Sequence, residues 1–301
     1  MSSPATLPPA VYPGDRIGVA ALSGVVDPES LEAGVEALFG LGYEPVLAAN
    51  LTSRHGLFAG SDEERVAGFH ELAADVTLGA IMFARGGHGT LRVLPHLDWT
   101  LLERRPRAYV GYSDLTPLLN LVVSRLGVVA LHGPMVAADL ARGLTPQETE
   151  SLVGGLRGEF AASQSIAGCG KPVVGRLVGG CLSLLAAATG TDYAVTGKGA
   201  ILFWEDVEEP VYRLDRMLTQ LRLSGSLIGI RGMVVGRLDP QREDGEEKVL
   251  EALLQDWGRE LSCSIGYGVE SGHCRPNMTL PLGLNARMEP DRGMLSFGTA
   301  R

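Results

Sequence analysis

Several things that would give this chain a special setting are missing from it. Its four cysteines, Cys169, Cys181, Cys263 and Cys274, lie far apart without a CxxC pair. That spacing speaks against a zinc knuckle and against a disulfide framework, and the four read as buried or semi-buried small apolar residues. No apolar run reaches the ~18 residues a membrane span requires. The longest candidate, around Leu118 to Ala138, is broken by Asn120, Arg125 and His132. The start, MSSPATLPPAVYPGD, has no basic stretch ahead of an apolar core, so no secretory signal is read and a cytoplasmic setting is the simplest expectation. Basic residues are in deficit, 26 Lys+Arg against 35 Asp+Glu for a net charge of −9, and no basic stripe is present to neutralise phosphates. Nucleic-acid and anionic-membrane partners are therefore not expected. HExxH, GxGxxG and GxxxxGK[ST] are all missing, so no metal and no cofactor is expected.

What remains describes an ordinary globular protein: 301 residues, 45% hydrophobic and 20% charged, enough for one large domain or two ordinary ones. The first half alternates strand and helix. RIGVAAL (Arg16 to Leu22), AIMFA (Ala80 to Ala84) and AYVGY (Ala108 to Tyr112) are apolar runs that read as strands, and Tyr43 to Ala48 reads as another strand. Between them, Pro28 to Gly40 carries a helical apolar stripe, and Ser61 with Glu64 forms a capping-box signature. Continuous apolar strands alternating with helices predict an α/β fold whose first domain is a Rossmann-like parallel sheet covered on both faces. The pattern weakens between Gly143 and Lys171, then resumes with strands at VVGRLVGG, AILFWEDV, GMVVGRL and SIGYGV and helices at VYRLDRMLTQLRLSG and Glu246 to Glu260. The expected organisation is an N-terminal domain over residues 1–145, a linker over 146–171 and a smaller C-terminal α/β domain over 172–301.

Candidate chemistry gathers at strand ends. Ser113 follows AYVGY in the series Gly111-Tyr112-Ser113-Asp114, which lacks the second glycine of a GxSxG elbow. It reads either as a nucleophile presented at the carboxyl edge of a parallel sheet or as a helix N-cap. Arg85-Gly86-Gly87-His88-Gly89 follows another strand and is either a backbone cradle for a ligand or a tight turn. A serine nucleophile needs a base and an orienting acid. Among six histidines, His88, His132 and His273 lie in glycine-containing turns, while His55, His70 and His96 look like solvated faces. Glu205 directly follows the apolar run Ala200 to Trp204, an unusual place for an unpartnered carboxylate.

The order of these stretches is more specific than any one of them. PGDRIGVAALSG, FARGGHGTLRVLPHLDW, YVGYSDLTPLL, LHGPMVA, VGGCLSLLAAATGT, ILFWEDVEEPVYRLDRMLTQL and GHCRPNMTLPLG together resemble the LD-carboxypeptidase family of serine peptidases, which includes the microcin C immunity hydrolases. The resemblance implies a two-domain enzyme whose Ser113 is the nucleophile, with Glu205 and His273 completing a triad. It also implies an oxyanion hole from the backbone N–H groups of Gly87 and Asp114. Three positions depart from the family pattern: Cys181 where asparagine is common, His88 where tyrosine is frequent, and Trp204 in place of an aliphatic residue. Arg85, His88 and Trp204 are the candidate substrate contacts, with Trp204 read either as a stacking surface or as core. The implied activity is hydrolysis of the L,D amide before a terminal D-alanine in murein peptides, in murein recycling, by a homodimer. The alternatives are a microcin C-like hydrolase of peptidyl or aminoacyl nucleotides and a non-catalytic α/β ligand-binding protein.

Overall fold

The apolar runs of the first half pair as a parallel sheet. In the computed structural model, which describes residues 5–160, 163–238 and 244–298, this sheet contains β1 (Arg16–Ala20), β2 (Glu44–Leu47), β3 (Leu78–Phe83), β4 (Ala108–Gly111) and β5 (Ala130–His132). β1, β3 and β4 are apolar because helices cover both faces, whereas β2, at the sheet edge, is half-exposed and carries Glu44. Those helices are α1 (Pro28–Gly40), α2 (Asp62–Ala74), the short α3 (Thr90–Val93) and α4 (Trp99–Glu103), and α5 (Thr116–Leu121). The predicted capping box opens α2, with Ser61 and Glu64 each satisfying the other's backbone N–H.

The strand order is 2-1-3-4-5. The order reverses between β1 and β3, and a crevice opens there at the carboxyl ends of the strands. Ser23-Gly24 leaves β1 and Arg85-Gly86-Gly87 leaves β3 at this point. The two turns cross in contact, with the Gly24 N–H donating to the Gly86 carbonyl at 3.2 Å.

Residues 146–171, read as a linker, are structured. Thr145 and Glu148 form a second capping box, Pro146 sits at the first turn, and α6 (Pro146–Arg157) follows. Two short strands come next, β6 (Gln164–Ser165) and β7 (Ala167–Cys169). The second sheet continues with β8 (Val173–Cys181), β9 (Ala200–Glu205), β10 (Gly232–Gly236) and β11 (Ser264–Val269), all parallel. Its helices are α7 (Leu182–Ala187), α8 (Val211–Leu223) and α9 (Asp244–Leu261). Of the last three strands, β12 (Leu280–Leu282) pairs antiparallel with β5 and so belongs to the first sheet. β13 (Asn285–Glu289) and β14 (Met294–Phe297) extend the second. Its order, β6-β14-β13-β8-β9-β10-β11-β7, places consecutive strands at opposite margins, so this sheet curls until its edges meet around Ile166.

The α/β architecture expected from the sequence is thus observed, with one crossing: a strand from within 172–301 completes the N-terminal sheet. Alternation along β9 joins the two halves. Ile201 and Phe203 enter the core shared with the first sheet, whereas Ala200, Leu202 and Trp204 enter a second core beside Leu214, Leu218 and Trp257. Polar ties add to this contact. Buried Asn120 on α5 donates to the carbonyls of Thr116 and Gly179 and accepts the Gly179 N–H, while Thr116 Oγ1 accepts the Cys181 N–H at 2.9 Å.

Candidate active site

Ser113 is set by a sharp turn. β4 ends at Gly111, Tyr112 is extended, and Ser113 takes φ +61° before a 3-10 turn leads into α5. That left-handed backbone costs roughly 1–2 kcal/mol in a non-glycine residue. It also aims the side chain outward at the strand's carboxyl end. Ser113 makes no capping bond to the helix that follows, so its N-cap alternative falls away. Gly86 packs directly against it: a Cβ there would lie 2.8 Å from Ser113 Cβ and 2.9 Å from Oγ. Next in the chain, Asp114 turns inward. Its Oδ2 accepts the Ser23 hydroxyl at 2.7 Å and the Thr90 N–H at 2.8 Å. One buried carboxylate therefore ties together the turns that follow β1, β3 and β4.

Glu205 ends β9, on the side of Phe203 that faces the first sheet, and is fully buried. Its Oε2 accepts the Nδ1–H of His273 at 2.8 Å and the His273 backbone N–H at 2.9 Å. On the other edge of the ring, His273 Nε2 stands 3.1 Å from Ser113 Oγ. The structure therefore brings Ser113, His273 and Glu205 into one hydrogen-bonded chain across the two sheets. The His273 turn is clamped from behind. Asn277 Oδ1 accepts the Gly272 N–H at 2.8 Å, and the Asn277 N–H donates to Glu148 Oε1 at 2.7 Å. The other oxygen of Glu148 accepts the Thr145 N–H in the cap of α6. The Tyr112 ring meets His273 edge-on at 5.0 Å.

The electrostatics suit a base near neutrality. Burial lowers the pKa of His273, but the bonded and charged Glu205 carboxylate outweighs it and holds the imidazole above its usual 6.5. For Glu205 burial acts upward, and the hydrogen bond and charge of His273 hold it below the ordinary carboxylate value. Burial pushes the Tyr112 phenol far up, which leaves it a neutral wall.

The other predicted residues are less central. Gly87 has φ +117° and lies in the crossing of the two turns, against Gly24. Arg85 is exposed and donates to the Val25 carbonyl at 3.0 Å; His88 is exposed with its ring 5.7 Å from Phe58. Trp204 offers no surface to a substrate. The period of two that turns Glu205 toward Ser113 turns Trp204 into the second core, at 0% exposure. Cys181 is buried beside Glu205 in register, 3.1 Å from the Ser183 hydroxyl and 3.7 Å from an Asp206 oxygen, and burial pushes its thiol well up. Cys169 is exposed rather than buried. No group of three metal-ligating side chains occurs among the described residues. Two contributors escaped the sequence reading, Glu148 and Asn277, while His132, one of the three candidate histidines, ends β5 and is fully buried rather than in a turn. The capping pattern Thr145-Pro146-Gln147-Glu148 was the available signal for Glu148, and the apolar run ahead of His132 was the signal that it ends a strand.

Comparison with known proteins identifies the family. The LD-carboxypeptidase N-terminal domain matches residues 17–133 and the LD-carboxypeptidase C-terminal domain matches residues 174–288. The chain belongs to the LD-carboxypeptidase family. It is an enzyme, a serine peptidase of the LD-carboxypeptidase type. A putative carboxypeptidase of Streptomyces coelicolor is 38% identical over 96% of this chain and 95% of its own length. A probable murein peptide carboxypeptidase of Bacillus subtilis is 34% identical over 93% and 91%. The crystal structure of an MccF-like protein from Bacillus anthracis superimposes with a TM-score of 0.87, covering 98% of this chain and all of the other, at 23% identity; it shows a common fold. Among the described residues, no helix is long and apolar enough to cross a membrane.

Proposed function

We propose that this LD-carboxypeptidase hydrolyses the L,D amide before a terminal D-alanine of murein peptides, with Ser113 as nucleophile, His273 as base and Glu205 as its orienting acid. The observation that carries the reading is the unbroken chain from Ser113 Oγ through the His273 ring to Glu205 Oε2, at 3.1 and 2.8 Å. His273 Nε2 takes the serine proton as Oγ attacks the carbonyl carbon, then delivers it to the departing amine. Glu205 fixes the tautomer that keeps hydrogen on Nδ1 and balances the imidazolium. The N–H groups of Gly87 and Asp114 receive the developing oxyanion, each worth on the order of 10²–10³ in rate. Water then releases the acyl group by the same proton route in reverse. Arg85 and His88, exposed beside the glycine turn, supply contacts for the substrate's terminal carboxylate.

The B. subtilis relative, at 34% identity, is named for murein peptides and supports that substrate class. Trp204 is buried and offers no stacking face to a nucleotide base, which weighs against the nucleotide alternative. Convergence of Ser113, His273 and Glu205 likewise weighs against a non-catalytic binding protein. A homodimer acting in the cytoplasm completes the reading; light scattering tests the first part and cell fractionation the second. The deciding experiment is mass spectrometry of products from a tetrapeptide ending in D-alanine, its L-alanine counterpart and an aminoacyl-sulfamoyl adenosine. Release of D-alanine alone is expected, falling at least ~10⁴-fold in Ser113→Ala. Preferred cleavage of the adenosine compound, or turnover unchanged in Ser113→Ala, would overturn the proposal.

A further inference from the structure

A second histidine stands behind Glu205, on the side away from His273. His132 ends β5 in the first sheet and is fully buried. Its Nδ1 lies 3.1 Å from Ser271 Oγ, and its Nε2 faces Glu205 Oε1 at 3.9 Å. Neither Nε2 nor Oε1 has a hydrogen-bond partner among the described residues. A buried carboxylate oxygen without a donor is expensive, and so is a buried ring nitrogen without a partner. Here the two orphans face each other, and an approach of about 1 Å converts the gap into an ordinary hydrogen bond.

The tautomer follows from the neighbours. A lone pair on Nε2 would point at the carboxylate, so the proton belongs on Nε2. Nδ1 then accepts from the Ser271 hydroxyl. The remaining surroundings of the ring include Phe203, edge-on at 5.0 Å, and Tyr112 at 5.8 Å. Titratable groups packed around the pair are His273, Tyr112, Asp139, Cys181 and Asp206. Burial pushes His132 down to about 4, so it is neutral where a His273 base is competent.

We propose that His132 is a positioning residue: as the neutral Nε2–H tautomer, held by Ser271, it donates to Glu205 Oε1 and thereby keeps Oε2 on the His273 Nδ1–H. The inference rests on the Ser113–His273–Glu205 reading. His132 transfers no proton and touches no substrate; it sets the rotation of the carboxylate and shares its charge.

The test compares pH profiles of kcat/KM for wild type, His132→Leu, His132→Gln and Ser271→Ala. Leucine fills the space without a donor, and glutamine returns an amide N–H near the Nε2 position. His132→Leu should lower kcat about tenfold to a hundredfold with KM little changed. With its donor gone, the carboxylate charge bears more fully on His273, so the acid limb should move to higher pH. His132→Gln should recover most of both effects, and Ser271→Ala should move the limb in the same direction by less. A purely structural role would lower melting temperature and kcat without moving the limb. Should His132→Leu fail to fold, Ser271→Ala and His132→Gln decide the matter through the limb alone. An unmoved limb in the folded variants overturns the proposal while Ser113→Ala and Glu205→Gln stay about 10⁴-fold or more below wild type; near-wild-type turnover in those two would instead mean that the underlying triad reading is wrong.

Discussion

Gly272→Ala is a sharp probe of whether the Glu205 carboxylate must stay where it is. A Cβ at this glycine would lie 2.3 Å from Glu205 Oε2 and 2.4 Å from its Cδ and Cγ. Carbon–carbon contacts are comfortable only near 3.5–4.0 Å, so the carboxylate and the His273 turn must separate by about 1 Å. Glu205 has little room to retreat, since Gly236 closes from behind with its own Cβ direction 2.7 Å from Glu205 Cβ. A misplacement of that size is worth about 10²-fold in rate. The backbone adds a separate penalty, because Gly272 sits at φ +103° and alanine there costs roughly 1–2 kcal/mol. Gly190→Ala separates the two effects: that glycine has φ +78° with nothing within 4 Å of the added carbon. Both variants should lose a few degrees of melting temperature, at about 2 °C per kcal/mol in a chain of this size. Gly190→Ala should keep wild-type kcat/KM for D-alanine release, whereas Gly272→Ala should fall about a hundredfold or more. The reasoning is refuted if Gly272→Ala folds with the stability of Gly190→Ala and stays within about threefold of wild-type activity.

Three further outcomes follow from the site's charges and ties. His273 works as a base only when neutral, and Glu205 stabilises its protonated form, so the acid limb of kcat/KM should lie above 6.5 and activity should fall as pH drops through it. Glu205→Gln removes that stabilisation while burial still acts; the limb should move to lower pH and kcat should drop by about 10⁴, read by steady-state kinetics across pH 5 to 9. Asn120→Ala removes the bonds joining α5 to β8 and leaves the Gly179 N–H and carbonyl buried without them. Urea unfolding should show a loss of about 3 kcal/mol, and kcat should fall with it because Ser113 rides on the turn into α5.

Much of this was legible because the signals are local. The central strands β1, β3 and β4 announce themselves as apolar runs, and α2 by its cap, since neither depends on a distant partner. Glu205 stood out because a carboxylate at the end of AILFW contradicts its neighbours unless something meets it. The pieces left open or unread owe their state to pairing. Leu280–Leu282 is three residues with a proline in the middle, a poor strand by itself, and it is one because β5 presents an open edge to it. Trp204 and Glu205 are adjacent and equally noticeable in sequence, yet only the direction of β9's alternation decides which faces Ser113. For α6 the capping pattern was present, but a polar stretch of small residues hid it. Its purpose becomes visible only when Glu148 is seen holding the Asn277 N–H.

That strand and that helix explain how a serine from one sheet can be aligned with a histidine carried beyond the other. The chain reaches His273 from β11, in the second sheet, and leaves it through β12, in the first. The turn is therefore anchored to both bodies rather than extended from one. The pairing that receives it sets Leu280 opposite His132, the residue whose ring backs Glu205. Glu148 and Asn277 close the turn from a third side. The 3.1 Å between Nε2 and Oγ is then a property of how the two sheets dock, fixed by backbone on both flanks, and no side-chain rotamer alone maintains it. Substitutions that loosen the docking should reduce turnover through this distance even where they lie far from the serine, because the base and the nucleophile share no local segment of chain.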